Sequence, residues 1–233
     1  MNKEKKTYIL HYAVSSLGGF LGGYAIFNHC DLFGNAQTAN LIHIVCKIFS
    51  ADFSGLIFLI ISLLTYIAGI VFCVLSEHFI KIDLRIISLV MSAAVIGVIG
   101  IFPNISNDYI ALLPILFVTP MLWSAFRTAG SYVTSPIFST NNLRVATTST
   151  TAYLLDRNKS ELARAKFYWL TIASFHIGVA MACVLSVFFK TNSIWFGLIN
   201  VTLAITAYLW VIGFSYISKK TRRVRRTIFN HAK

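Results

Sequence analysis

The sequence predicts an all-α polytopic membrane protein with six transmembrane helices, built as a 3+3 inverted repeat with two short re-entrant helices. Of the 233 residues, 57% are hydrophobic and only 12% are charged, about half the charged fraction of a soluble domain. The apolar runs reach the roughly 20 residues that a bilayer crossing requires. Two similar polar segments, one in each half, follow a long apolar run and open a short one.

These two polar segments, called island one and island two below, interrupt an otherwise apolar chain. Island one lies within Phe33–His43 and island two within Thr134–Asn142. Thr38, Asn40 and Leu41 are identical to Thr140, Asn142 and Leu143, respectively, and Leu143 directly follows island two. Their shared place in the apolar pattern identifies them as the same piece of an internal repeat.

The chain reads as a single membrane domain, residues 1–233. Long helices are predicted at about 7–28, 53–79, 86–102, 109–133, 167–189 and 193–217, and short ones at about 40–50 and 143–155. Pro114 and Pro120 should kink the fourth long helix, which includes Arg127 near its end. The first repeat covers about 7–103, the second about 109–217, and a basic tail follows at 218–233.

The distribution of basic residues predicts the topology. With six crossings, the side that holds both termini collects all of the 20 Lys and Arg except Lys47, Lys190 and Arg127. Basic loops stay in the cytoplasm, so both termini are predicted to be cytoplasmic. If the short helices also span, the eight crossings give a weaker asymmetry. Three spans per half would place the second half upside down relative to the first, as in many secondary transporters.

The first helix carries four glycines, Gly18, Gly19, Gly22 and Gly23. They form two overlaid G-x-x-x-G pairs, which line one helix face and let another backbone approach closely. Packing within the chain is the favoured interpretation. A homodimer and close approach to a substrate stay open beside it.

The candidate substrate-binding residues are the polar side chains of the islands and two nearby arginines: Asn35, Gln37, Thr38, Asn40, Arg127, Thr140, Asn142 and Arg144. Helix N-termini that point into a cavity offer free N–H donors and partial positive charge. No Asp or Glu lies deep in a predicted span, so the cavity should favour an anion or a neutral polar solute. The structural alternatives are that the Asn residues are N-caps, that the Thr residues bond nearby backbone, and that the arginines reach the interface.

Several function classes find no support in the residues. The net charge of +12 sits at segment ends and in the tail, where topology accounts for it, so nucleic-acid binding is not expected. The four cysteines lack paired spacing and are expected to be free thiols. Neither a nucleophile arrangement nor a metal-ligand cluster can be argued, so no enzyme, metal or cofactor is expected.

Two segments of the chain resemble the signatures of a known protein family. G-F-L at residues 19–21, Tyr24 and F-G-N-A-Q-T-A-N at 33–40 resemble the first signature of the YoaK-like family, approximately G-G-F-L-D-A-Y followed by F-x-N-x-x-T-G-N. F-R at 126–127 and T-N-N-L-R at 140–144 are similar to the second, around F-R and T-G-N-L-R. The resemblance covers nearly the whole chain and implies an uncharacterised six-helix protein of the bacterial inner membrane.

The chain departs from the family pattern at four positions. Gly22 stands at the family's aspartate in the first helix, and Ala39 and Asn141 replace the two T-G-N glycines. Ser124 stands where many relatives carry glutamine. These departures identify a divergent member of a family that implies no established activity.

The function expected from the residues is a transporter or permease for a small solute, with a site between the islands near the midplane. The alternative is a non-transporting membrane interaction or scaffold protein, with the islands as structural caps. The expected partners are the lipid bilayer, the solute and, for the glycine face, a second copy of the chain. The expected location is the cell membrane, in multi-pass form with cytoplasmic termini.

Overall fold

The computed structural model describes residues 3–29, 37–80, 82–103, 105 and 107–213. Eight helices account for most of this part of the chain: α1 Lys3–Asn28, α2 Gln37–Phe49, α3 Phe53–Leu75, α4 Leu84–Ile101, α5 Asp108–Ala125, α6 Thr140–Asp156, α7 Lys159–Phe189 and α8 at 197–213. A π-helical turn, Ser76–Ile80, extends α3, and a 3-10 segment, Lys190–Phe196, joins α7 to α8. A short hairpin, β1 Thr128–Ala129 and β2 Tyr132–Val133, lies between α5 and α6.

Two predicted boundaries were wrong. The fourth long helix ends at Ala125 rather than near residue 133, so Arg127 lies outside it, in the turn before β1. Gly130 adopts a positive φ of 59° in the hairpin, a conformation that ends regular helix and suits glycine. The basic connection before α7 is also shorter than predicted, because the Asn158 side chain accepts a hydrogen bond from Ser160 N and caps the helix there.

In the part of the chain that the structure describes, five apolar segments are long enough to cross a membrane: Glu4–Asn28, Phe53–Ile80, Leu84–Ile101, Asp108–Ala125 and Lys159–Gly213. The last has 55 residues and contains both α7 and α8. Many large apolar side chains on α3, α4, α7 and α8 are exposed, as expected of surfaces that face lipid rather than water. The chain is a helical, multi-pass membrane protein.

Contacts between helix ends define two ends of the bundle. At the amino-terminal end, where α1 begins, Ser131 of the hairpin donates to Glu4, and Lys6 lies 4.3 Å from the Trp210 ring of α8. At the opposite end, His29, just after α1, lies 3.0 Å from Asp108 at the start of α5. Helices α1 and α5 therefore run in opposite directions between these two ends.

The glycines mark where helices cross closely. A Cβ at Gly19 would overlap the Phe175 carbonyl of α7, and a Cβ at Gly178 of α7 would overlap the Ser16 carbonyl of α1. At a second crossing, a Cβ at Gly69 of α3 would overlap the Phe117 carbonyl of α5. The two helix pairs α1–α7 and α3–α5 thus approach backbone to backbone.

Candidate functional site

The loop that follows the hairpin enters the interior of the bundle. Residues 134–137 are buried, although none of them is helical. A Cβ at Gly18, beyond the middle of α1, would lie 2.8 Å from the Pro136 carbonyl oxygen and 3.0 Å from a methyl group of Ile137. Because Gly18 has no side chain, the non-helical backbone of this loop can pack against α1.

Asn142 holds this loop in place. Its side-chain amide donates to the Ser135 carbonyl at 2.8 Å and to the Phe138 carbonyl at 2.9 Å, and its oxygen accepts from the Thr134 hydroxyl at 3.0 Å. These bonds satisfy backbone carbonyls that a loop buried away from water must pair. Both amide hydrogens of Asn142 are used within the protein.

The prediction that the island asparagines cap their helices was wrong. Ser139 holds the N-cap position of α6, and Asn142 is the third residue of that helix. Asn40 is likewise the fourth residue of α2, which begins at Gln37. The helices begin earlier than the apolar pattern because their first turns consist of the polar island residues themselves.

His11 of α1 extends the polar network. Its Nε2 atom lies 3.2 Å from the Thr134 hydroxyl, and the residue is only 1% exposed. Its other ring nitrogen, Nδ1, is buried and has no hydrogen-bond partner among the described residues. His11, Thr134 and Asn142 therefore form a continuous buried chain of polar groups between α1 and the first turn of α6.

Aromatic rings cover this network toward the amino-terminal end. Phe167 of α7 lies 4.8 Å from both Tyr8 and Tyr132 and 5.7 Å from the His11 ring, measured between ring centroids. The Tyr168 hydroxyl donates to the Val133 carbonyl at 2.6 Å. This aromatic cluster packs the hairpin against α1 and α7 and covers the interior of the bundle at the amino-terminal end.

The second island and its arginines occupy different environments. Thr140 and Arg144 are exposed on α6, and an Arg144 guanidinium nitrogen donates to the Asn141 side chain at 3.1 Å. Arg127 is exposed at the amino-terminal end, where it lines an open pocket of about 550 Å³. The structure therefore does not gather Arg127 with the Asn142 network.

Island one lies on a separate helix. Asn40 is 2% exposed and its amide lies 3.4 Å from the Gln37 side-chain oxygen, whereas Thr38 is exposed. Asn35 falls outside the described residues. Helix α2 packs against α3, and α6 packs against α7, so the two islands belong to different helix pairs.

Sequence reasoning missed three contributors to the site. They are His11, Tyr132 and Phe167, and none of them was predicted as a site residue. Nothing local marks these residues, because their roles arise from contacts between α1, the hairpin and α7. Among the described residues, no group of three or more His, Cys, Asp or Glu could hold a metal ion. Cys46, Cys73 and Cys183 are free thiols.

A family model described as "Protein of unknown function (DUF1275)" matches residues 10–208. The chain belongs to this family. The match includes both islands, the glycines of α1 and the hairpin. No curated protein and no solved structure matches the chain.

Proposed function

We propose that this DUF1275 protein is a transporter or permease for a small anionic or neutral polar solute, with six crossings in two inverted halves. The observation that supports it most is the buried, non-helical loop fastened by Asn142. Irregular backbone deep in a membrane bundle is tolerated only where protein buries it or a wet cavity adjoins it. Interrupted helices of this kind build the binding sites of many secondary transporters.

The pattern of helix contacts supports the inverted repeat. The first helix of each half crosses the second long helix of the other: α1 crosses α7 at Gly19, and α5 crosses α3 at Gly69. Each short helix also packs against the long helix that follows it. Two equivalent halves of opposite orientation predict such reciprocal pairs.

The positions of the ends support cytoplasmic termini. Glu4, Arg85 and Arg127 belong to the amino-terminal end. Trp210, near the end of the described part of α8, lies there beside Lys6, and the basic tail follows in the sequence. Of the remaining bases, Lys47 lies in α2 and bonds Asp52, and Lys190 directly follows α7. In the proposed topology the amino-terminal end is cytoplasmic because it carries most basic residues.

The charge and hydrogen-bonding groups of α6 support an anionic or neutral solute. Arg144 and Thr140 are exposed at its first turns, where the helix also presents unpaired N–H groups. Thr38 is exposed in the equivalent turn of α2. We assign solute contact to these groups, with Gln37, Asn40 and Asn142 positioning the islands, and we assign Arg127 to the entrance. Asn35 remains part of the proposed site through its place in island one.

A non-transporting interaction or scaffold protein is the second candidate. The observation that favours it is the self-contained bonding of Asn142, whose amide hydrogens both go to backbone carbonyls. Under this alternative the islands stabilise the fold and bind no solute.

Uptake into proteoliposomes separates the two candidates. The purified full-length protein is tested with labelled lactate, acetate, glycerol and choline. We expect uptake of lactate, acetate or glycerol above that of empty liposomes, and Arg144→Gln should slow uptake of the anions several-fold more than uptake of glycerol. Lys159→Gln, which removes an exposed positive charge at the start of α7, is the control. Uptake of none of the four, or of choline alone, would contradict the proposal.

A further inference from the structure

The pocket at the amino-terminal end is a separate feature from the islands. It lies where α3 and α5 end and α4 begins, and its volume of about 550 Å³ falls within the usual range for small-molecule sites. Its wall combines apolar side chains with the hydroxyl groups of Ser124 and Thr128. Its charged residues are two acids and two bases: Glu77, Asp83, Arg85 and Arg127.

Two of the four charged residues, Asp83 and Arg85, form an ion pair with each other. The Arg85 side chain donates from Nε to both carboxylate oxygens of Asp83, at 2.9 and 3.1 Å. Asp83 also accepts from the Arg85 backbone N at 3.0 Å and so caps α4. Hydrogen bonding to Arg85 lowers the pKa of the Asp83 carboxyl, which keeps the pair ionised. This pair belongs to the wall and leaves little capacity for a ligand.

The other two charges are not paired in the described part of the chain. Neither Glu77 nor Arg127 has an opposite charge within 4.0 Å among the described residues. They come from different elements, since Glu77 lies in the π-helical turn after α3 and Arg127 in the turn after α5. The pocket thus presents one negative and one positive group that do not bond each other.

We propose that this pocket binds a zwitterion, with its anionic oxygens on Arg127 and its ammonium group on Glu77. A simple anion would satisfy Arg127 but face the Glu77 carboxylate, and a simple cation would face Arg127. A ligand that carries both charges a few bonds apart complements both walls. Thr128 supplies a further hydroxyl group for its oxygens.

Two sources offer this chemistry. The pocket lies at the ends of helices long enough to cross a membrane, where a bilayer would present its headgroups, so an ethanolamine phospholipid headgroup is one source. A free amino acid from the aqueous side has the same pair of charges. The proposal does not rest on transport, so a failure of solute uptake would leave it intact.

The test is a binding titration with the purified full-length protein in detergent. The probes are glycerophosphoethanolamine and alanine as zwitterions, glycerophosphoglycerol as an anion and ethanolamine as a cation. We expect at least one zwitterion to bind more tightly than both singly charged probes. Arg127→Gln and Glu77→Gln should each weaken zwitterion binding by about threefold to fivefold, the scale of one exposed ion pair.

The controls and sources are tested with the same protein. Arg164→Gln and Glu161→Gln make the same charge changes on α7, away from the pocket, and should leave binding unchanged. The charge exchange Glu77→Arg with Arg127→Glu should restore part of the affinity. The lipid source is indicated if glycerophosphoethanolamine binds more tightly than alanine and the protein retains phosphatidylethanolamine from vesicles that also contain phosphatidylglycerol. The free amino acid is indicated if alanine binds more tightly. Binding of neither zwitterion, binding of glycerophosphoglycerol or ethanolamine as tight as that of the better-bound zwitterion, or zwitterion binding unchanged in both pocket variants would overturn the proposal.

Discussion

Adding one methyl group at Gly19 should destabilise the crossing between α1 and α7. The Cβ of Gly19→Ala would overlap the carbonyl oxygen of Phe175, which is backbone and cannot rotate away as a flexible side chain could. Restoring ordinary contact distances of about 3.5 Å requires the two helices to separate. Leu17, Phe20 and Leu21, which are at most 1% exposed beside it, would lose part of their packing.

The net effect combines two opposing contributions. Overpacking a well-filled interior costs about 1–3 kcal/mol, whereas replacing glycine by alanine inside a helix gains up to about 1 kcal/mol. We therefore expect Gly19→Ala to lower the free energy of unfolding by about 1–2 kcal/mol. Gly97→Ala is the matched control, because a Cβ at Gly97 meets no atom within 4 Å, and it should be neutral or slightly stabilising.

Thermal unfolding in detergent, followed by circular dichroism, measures the difference between these variants. Gly178→Ala places its Cβ against the Ser16 carbonyl on the facing helix and should lower the melting temperature as Gly19→Ala does. The double variant should cost less than the sum of the two single changes, because one helix separation relieves both overlaps. Equal melting temperatures for Gly19→Ala and Gly97→Ala would refute the reasoning.

Two further predictions concern polar groups. Asn142→Ala should cost about 2–4 kcal/mol, because it leaves buried partners of three hydrogen bonds unpaired. Asn141→Ala on the exposed side of α6 is its control, and similar unfolding temperatures for both would argue against the fastening role. The Lys47 hydrogen bond lowers the pKa of Asp52 to about 2, below the unfolded value of about 3.9, so its stabilisation is present above about pH 4 and lost as the pH falls toward 2. Asp52→Asn, which keeps an N-cap residue, should remove that part of the acid sensitivity in unfolding scans at pH 3 and pH 6, and an unchanged acid sensitivity would count against it.

The fold class followed from the sequence because membrane segments are specified locally. The length and apolarity of a run such as Phe53–Leu75 are enough to predict a helix. The end of α5 was harder to predict, since Phe126, Ala129, Tyr132 and Val133 continue the apolar pattern beyond Ala125. The hairpin there depends on contacts with α1 and α7, including the bond from Tyr168 to Val133, which no local pattern encodes.

Only some of the site residues could be predicted from the sequence. The repeated Thr-x-Asn pattern directed attention to Asn142, which the structure places in a buried network. His11 was not singled out, because its partner Thr134 is far away in the sequence. The placement of Glu77 and Arg127 around one pocket likewise appears only once α3, α4 and α5 are brought together.

Cysteine accessibility at the two islands tests the proposed architecture most directly. Thr38→Cys and Thr140→Cys are made separately in a chain without its native cysteines and are labelled by a membrane-impermeant reagent from either side. Two re-entrant helices of opposite orientation predict that Thr140→Cys reacts from the cytoplasmic side and Thr38→Cys from the outside. Val184→Cys, exposed on the apolar surface of α7, should react from neither. Labelling of both island positions from the same side, or of neither, would contradict the inverted, re-entrant architecture.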